Sequence, residues 1–244
     1  RLIVLLNLER TLSSEEAQEL NEAELGWSDM INGLTPLQLD AICEVGNIGA
    51  AHAATVLSQL LNKKVAMTVP QVNILPLAEA CNVVGGPEQP MVGIYLRVFG
   101  GAPSKILYLF PEDKALFVAG LLINDPGKCR NILGELEVSA LKEIGNILTG
   151  AYVYAFSDFT SLHMISSVPA FAFDMVGAIL NTILVDLGQM GDYAVMIETQ
   201  LMACDLSIDG HFFLIPDPGS LETILEALGV KNECQSPSGS ECQK

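Results

Sequence analysis

Basic residues are scarce. Only 12 lysines and arginines stand against 29 acids in 244 residues, a formal net charge of −17. Nucleic acid and anionic membrane surfaces both demand basic patches, so neither is an expected partner; a basic surface on another protein suits the chain better. Charged residues make up only 17% of the sequence, which weighs against salt adaptation as the origin of the acidity. The six cysteines, at 43, 81, 129, 204, 234 and 242, include no CxxC pair, and no histidine lies at metal spacing from them. Neither a zinc site nor a thioredoxin-type motif is therefore indicated. Cys43 and Cys204 lie in apolar runs and are expected to be buried, reduced thiols, consistent with a cytoplasmic protein.

A clean membrane-length apolar run is also missing. Residues 1–8, RLIVLLNL, are too short and are soon followed by acids. Val168 to Leu187 is interrupted by Pro169, Asp174, Asn181 and Asp186. A single uncompensated Asp at bilayer depth costs about 2.5 to 3.5 kcal/mol on insertion scales, so this run is expected in the core and no membrane insertion is expected. The absence of an initiator Met is read as a trimmed or fragmentary start. Half of the residues are apolar, ample for a full core.

What the sequence does contain is organised around Thr35 to Asn62, TPLQLDAICEVGNIGAAHAATVLSQLLN. Thr35, Pro36 and Gln38 supply the N-cap, the first helical residue and the third residue of a capping box. On a helical wheel of about 100° per residue with Asp40 at zero, Glu44 falls near +40° and Asn47 near −20°. Ile42, Val45, Gly49, Ala53, Val56 and Leu60 gather opposite, at roughly 140° to 220°, and predict the core-facing stripe. Asp40, Glu44 and Asn47 therefore face away from the core. Ala51 shares their arc, so no bulky side chain keeps a partner away from Asn47.

The stretch recurs 99 residues later: Ser139, Glu143 and Asn146 repeat the spacing of Asp40, Glu44 and Asn47. Its opposite stripe is Leu141, Ile144, Leu148, Tyr152, Ala155 and Phe159, and Gly150 stands where Ala51 stood. After each Asn, 22 residues intervene before a proline, Pro70 or Pro169. Two copies of one unit are present. Each is expected to run helix, extended segment, hairpin, helix: Val65 to Leu77, Met91 to Phe99, Ser104 to Phe110 and Lys114 to Ile123 in the first copy. The second is expected to use Glu135 to Phe159, a run through Pro169 to Met175, Tyr193 to Asp205 paired with His211 to Ile215, and Ser220 to Leu228. Pro111 and Pro216 are 105 residues apart, so six residues are inserted in the second copy, and Gly177 to Gly191 is where they are expected. The expected organisation is an arm or peripheral helix over 1–30, one domain over 31–228 made of repeats at about 31–130 and 131–228, and a disordered tail over 229–244.

Asp or Ser, three residues, Glu, two residues, Asn, 22 residues, Pro, present twice in one chain, resembles the CheC family of chemotaxis phosphatases, relatives of CheX and of the middle region of the flagellar switch protein FliY. The resemblance covers about residues 31 to 228. It implies a pseudo-twofold α/β (α+β) fold with a central antiparallel sheet and two exposed motif helices on one side. It also implies dephosphorylation of a phosphorylated CheY-type response regulator, with Asn47 and Asn146 inserted into the receiver's active site to orient water. Glu44 and Glu143 would pair with the lysine beside its phosphoaspartate. The receiver would supply Mg²⁺, leaving no cofactor or metal site of the chain's own. The residue types suit the chemistry, because an amide is donor and acceptor in one plane and orients water without titrating, and aspartyl-phosphate hydrolysis can be catalysed almost wholly by positioning and electrostatics.

Bland readings exist for each residue. An exposed helical Glu is usually only solvated surface, and a mid-helix Asn is usually only tolerated; repetition in register reverses those odds here. Asp40 and Ser139 suit local hydrogen bonding near a helix start. Pro70 and Pro169 suit bends at strands. Gly46 and Gly145 suit close packing on the sheet or the other helix, and His52, His163 and His211 are scattered. The alternative function is an interaction module that binds the deamidase CheD, a partner the resemblance also implies, or a FliY-like switch component. The polar tail weighs against the latter, and Leu12 to Glu16 faintly matches a receiver-docking peptide of switch proteins. The two copies are expected to be unequal, because the first has Asp40 and Ala51 where the second has Ser139 and Gly150, with Tyr154 on its flank.

Overall fold

The computed structural model describes residues 34–76, 79–123, 133–187, 193–203 and 206–230. The expectations for residues 1–30, Cys204 and the tail from 231 lie outside the described residues; the tail does not begin at 229 as expected, because the Val230 carbonyl accepts from Gln38 Nε2 at 3.0 Å and its side chain packs on the core. Thr35 starts the first long helix, α1 (Pro36–Leu61), as anticipated. Its hydroxyl accepts from the Gln38 N–H at 3.3 Å, while the Gln38 side-chain oxygen accepts from the Thr35 N–H at 2.8 Å. The reciprocal bonds satisfy two donors that a helix start leaves orphaned. The second long helix, α4 (Glu135–Thr160), starts on Gly134, whose N–H is taken by the Glu137 carboxylate at 3.0 Å. Both helices stop on a left-handed residue at the same place in the repeat, Asn62 with φ 48° and Ser161 with φ 57°.

Between and after these helices lie β1 (Val65–Pro76), a short α2 (Ala80–Val83), β2 (Pro90–Gly100), β3 (Ser104–Pro111) and α3 (Glu112–Leu122), then β4 (Met164–Ser166), β5 (Ala170–Met175), α5 (Val176–Leu187), β6 (Tyr193–Ala203), β7 (Leu206–Pro216) and α6 (Ser220–Ala227). The strands form one antiparallel sheet in the order β1-β6-β7-β3-β2-β4, with β5 also on β2. The order reads the same from either end: each hairpin, β2–β3 or β6–β7, is flanked by the outer strand of the other copy. The copies thus exchange strands, and neither could complete its sheet alone. β3 and β7 meet at the centre, with Tyr108 opposite Phe212 and Leu107 opposite Phe213.

Period-two alternation sorts these central strands between two cores. Ile94, Ile106, Tyr108, Phe212 and Leu214 face α1, α3, α4 and α6, while Leu107, Leu109, Phe213 and Ile215 face α5 and α2. The insertion falls where it was expected, since α5 is a three-turn helix in the place of the four-residue α2. Tyr152 of α4 stacks on Phe212 at 4.6 Å, and Phe212 on Tyr108 at 5.0 Å. Such aromatic contacts add to the burial energy of the rings.

The predicted stripes need one correction. Val56 and Leu60 are 44% and 48% exposed and Phe159 is 49% exposed, whereas Leu57, Leu61 and Phe156 are buried in their stead. A single wheel assumes one partner along the whole helix. Here α1 meets α4 at Gly49, where a Cβ would come within 2.6 Å of the Tyr152 ring, but further along it lies on its own following strand, where Ser58 Oγ bonds the backbone of Val65. The buried arc rotates accordingly.

Candidate functional site

Close approach on one side of each long helix leaves the other side for the repeated polar residues. Gly46 and Gly145 are buried. A Cβ at Gly145 would stand 2.6 Å from Ile94 Cγ2, so only glycine lets α4 lie this directly on β2. Across the helix from that contact, Ser139, Glu143 and Asn146 are exposed, as are Asp40 and Glu44 on α1; Asn47 is half-buried. Glu and Asn three residues apart are separated by about 4.5 Å along the axis and share one face. Neither Glu44 nor Glu143 forms an ion pair with a described residue, so both carboxylates are available to an incoming cation.

The two copies differ in what supports the Asn. Asn47 Nδ2 lies 3.7 Å from Cys43 Sγ, one turn back, while position 142 of the second copy is a lysine. Cys43 is half-buried, not buried as its apolar run suggested, because it sits at the edge of the polar face. Partial burial raises its thiol above the ordinary value, and the neighbouring carboxylates of Asp40 and Glu44 push it the same way. A thiol held protonated is a poor nucleophile and is suited to accept from the Asn47 amide.

Pro70 lies within the register shift of β1 between Thr68 and Gln71, and Pro169 in the gap that separates β4 from β5. Both prolines stand where an outer strand breaks its ladder, as expected of a residue that cannot donate. They do not join the polar residues on the helix faces. Among the described residues no three His, Cys, Asp or Glu side chains converge on a point that could hold a metal ion. No described helix is long and apolar enough to cross a membrane.

One feature escaped the wheel. His52 and Tyr154, on different helices, meet with ring centroids 5.1 Å apart. They wall a cleft between α1 and α4, with Val56 and Ile147 beside them and Gly150 opening it. Tyr154 lies on the flank of the second copy by helical position, but the packing of the two helices turns it towards the first. Only the interhelical register could have revealed this.

A pair of Glu-x-x-Asn faces on twin helices over a palindromic antiparallel sheet defines a family as well as a geometry. The pattern of the CheC-like family matches residues 37–74 and 136–172, one match per copy. Over 205 residues the chain is 36% identical to the CheY-P phosphatase CheC of Bacillus subtilis, which spans 82% of this chain and 98% of that one. The chain belongs to the CheC-like family. It is also 34% identical over 122 residues to the flagellar motor switch phosphatase FliY of Bacillus subtilis, a match covering 50% of this chain and 32% of that protein. The crystal structure of Thermotoga maritima FliY superposes with a TM-score of 0.67 at 19% identity, over 82% of this chain and 100% of that one, a likeness of fold.

Proposed function

We propose that the protein hydrolyses the aspartyl phosphate of a phosphorylated CheY-type response regulator, using two sites, one in each copy. The observation that carries this reading is the Glu and Asn pair repeated one turn apart on the outward faces of α1 and α4. Family membership and the name of the Bacillus subtilis relative support it. Glu44 or Glu143 docks by pairing with a lysine beside the phosphoaspartate, and the Asn47 or Asn146 amide, projecting one turn further, accepts from and donates to the attacking water in line with the phosphoryl group. Mg²⁺ belongs to the receiver and neutralises the phosphoryl oxygens there. Nothing on this chain is transiently phosphorylated; its contribution is orientation, which can be worth several orders of magnitude when the water is held in near-attack geometry.

The division of labour is testable. Glu44→Ala with Glu143→Ala should weaken receiver binding about tenfold, or about 1.4 kcal/mol, measured by titration with a receiver carrying beryllofluoride in place of the phosphoryl group. Unchanged affinity would remove the docking role from the carboxylates. A second prediction separates the sites. Asp40 adds an exposed charge to the first copy, worth about 1 kcal/mol or less and screened by salt, whereas Gly150 allows a closer approach at the second. The Asn47→Ala variant, working through its second site, is expected to keep more turnover and to show a shallower salt dependence than Asn146→Ala. Equal rates and slopes would show that these differences do not matter.

A further inference from the structure

The polar faces leave the cleft between α1 and α4 without a use. We infer that this cleft is a second contact for the receiver, taking an apolar side chain from the rim of its phosphorylation site while Glu143 and Asn146 engage the phosphoaspartate. The inference rests on the phosphatase reading and names a specificity determinant for it. Continuity with the polar face argues for this occupant: Gly150 lies one turn beyond Asn146 on the same exposed side and Ile147 follows it directly, so the cleft begins where the motif ends. Nothing lies within 4 Å of a Cβ built at Gly150, which leaves the mouth open at the point a docked domain would reach first. The far wall is Tyr154, a large ring 57% exposed yet held by its contact with His52, and therefore pre-ordered for a partner. The repeat makes the pair informative. Positions equivalent to His52 and Tyr154 in the other copy are Ala151 and Thr55, so the aromatic wall occurs once and the twofold packing of the helices does not require it. Glu143 stands one turn before Ile147 on the same helix and is exposed, which suits a partner whose apolar residue is bordered by basic ones.

The test uses the whole chain and Bacillus subtilis CheY phosphorylated with acetyl phosphate. Tyr154→Ala should raise KM about fivefold, the loss of one buried aromatic anchor, with kcat held within about twofold, and Tyr154→Phe should restore the wild-type KM. Gly150→Leu, which fills the mouth of the cleft, should raise KM by a similar factor without lowering the melting temperature, since the position has room for a Cβ and leucine is the better helix former. If wild type turns over and both variants keep its KM, the cleft contact is wrong while the phosphatase reading stands. If wild type does not turn over, both fall. If Tyr154→Ala leaves KM alone but dissolves a dimer, the cleft belongs to a second copy of this chain, and the inference is overturned.

Discussion

Asn47→Ala combined with Asn146→Ala is expected to reduce receiver dephosphorylation at least about 100-fold, to the receiver's own rate, because mispositioning a reacting group is enough to cost that factor. In the proposed mechanism the amide works by geometry alone. It carries no charge and changes no protonation state, so alanine removes the water's orientation without altering the electrostatics that bring the receiver in. Binding of a beryllofluoride-loaded receiver should therefore stay within about threefold of wild type, since truncating one exposed polar group at an interface costs under about 1 kcal/mol. The double variant matters because each helix offers a complete pair, and one intact site would mask the loss of the other. Alanine is a better helix former than asparagine, and thermal melting of the double variant, expected to match wild type, separates lost turnover from misfolding at the exposed Asn146 and the half-buried Asn47. Turnover retained in the double variant would place the chemistry elsewhere.

Gly49→Val should be the most damaging single change to stability outside the aromatic core, with a loss of about 3 kcal/mol, the upper end of overpacking costs. Already a Cβ there would approach the Tyr152 ring to 2.6 Å and its Cα to 3.2 Å. That ring cannot swing aside, because it is fully buried and stacked on Phe212. The helices must then separate at their crossing. Gly150→Ala makes the internal control: the position is exposed with nothing near its Cβ, so replacing glycine in a helix should stabilise by about 1 kcal/mol. Thermal melting reads both, with a fall of roughly 6 to 12 °C for the first, given roughly 2 to 4 °C per kcal/mol in a chain of this size. A melting temperature unchanged by Gly49→Val would mean that the two helices do not pack as closely as described.

Much of this architecture was legible because it is written twice. The 99-residue repeat identified both helices and the two hairpins, the capping box at Thr35 marked where the first helix starts, and the repeat located the insertion at α5. The polar faces followed from periodicity, since Asp40, Glu44 and Asn47 can share a side only on a helix. Strand exchange between the copies was not legible, because local alternation identifies a strand without saying which neighbour it pairs with. The turn of the buried arc that exposes Val56, Leu60 and Phe159 was hidden for a related reason: it depends on where α1 leaves α4 for β1. His52 and Tyr154 looked unrelated for want of the interhelical register, and Cys43 looked buried until its place at the edge of the polar face was known.

The central claim is catalytic removal of phosphate from a receiver, and single-phase decay of phosphorylated CheY-type receivers, with and without a small molar fraction of this protein, tests it most directly. The expected result is decay accelerated in proportion to the protein added, with each molecule clearing many receivers and the acceleration absent in the Asn47→Ala, Asn146→Ala variant. Decay of every receiver at its own rate, whatever the amount of protein present, would contradict the account.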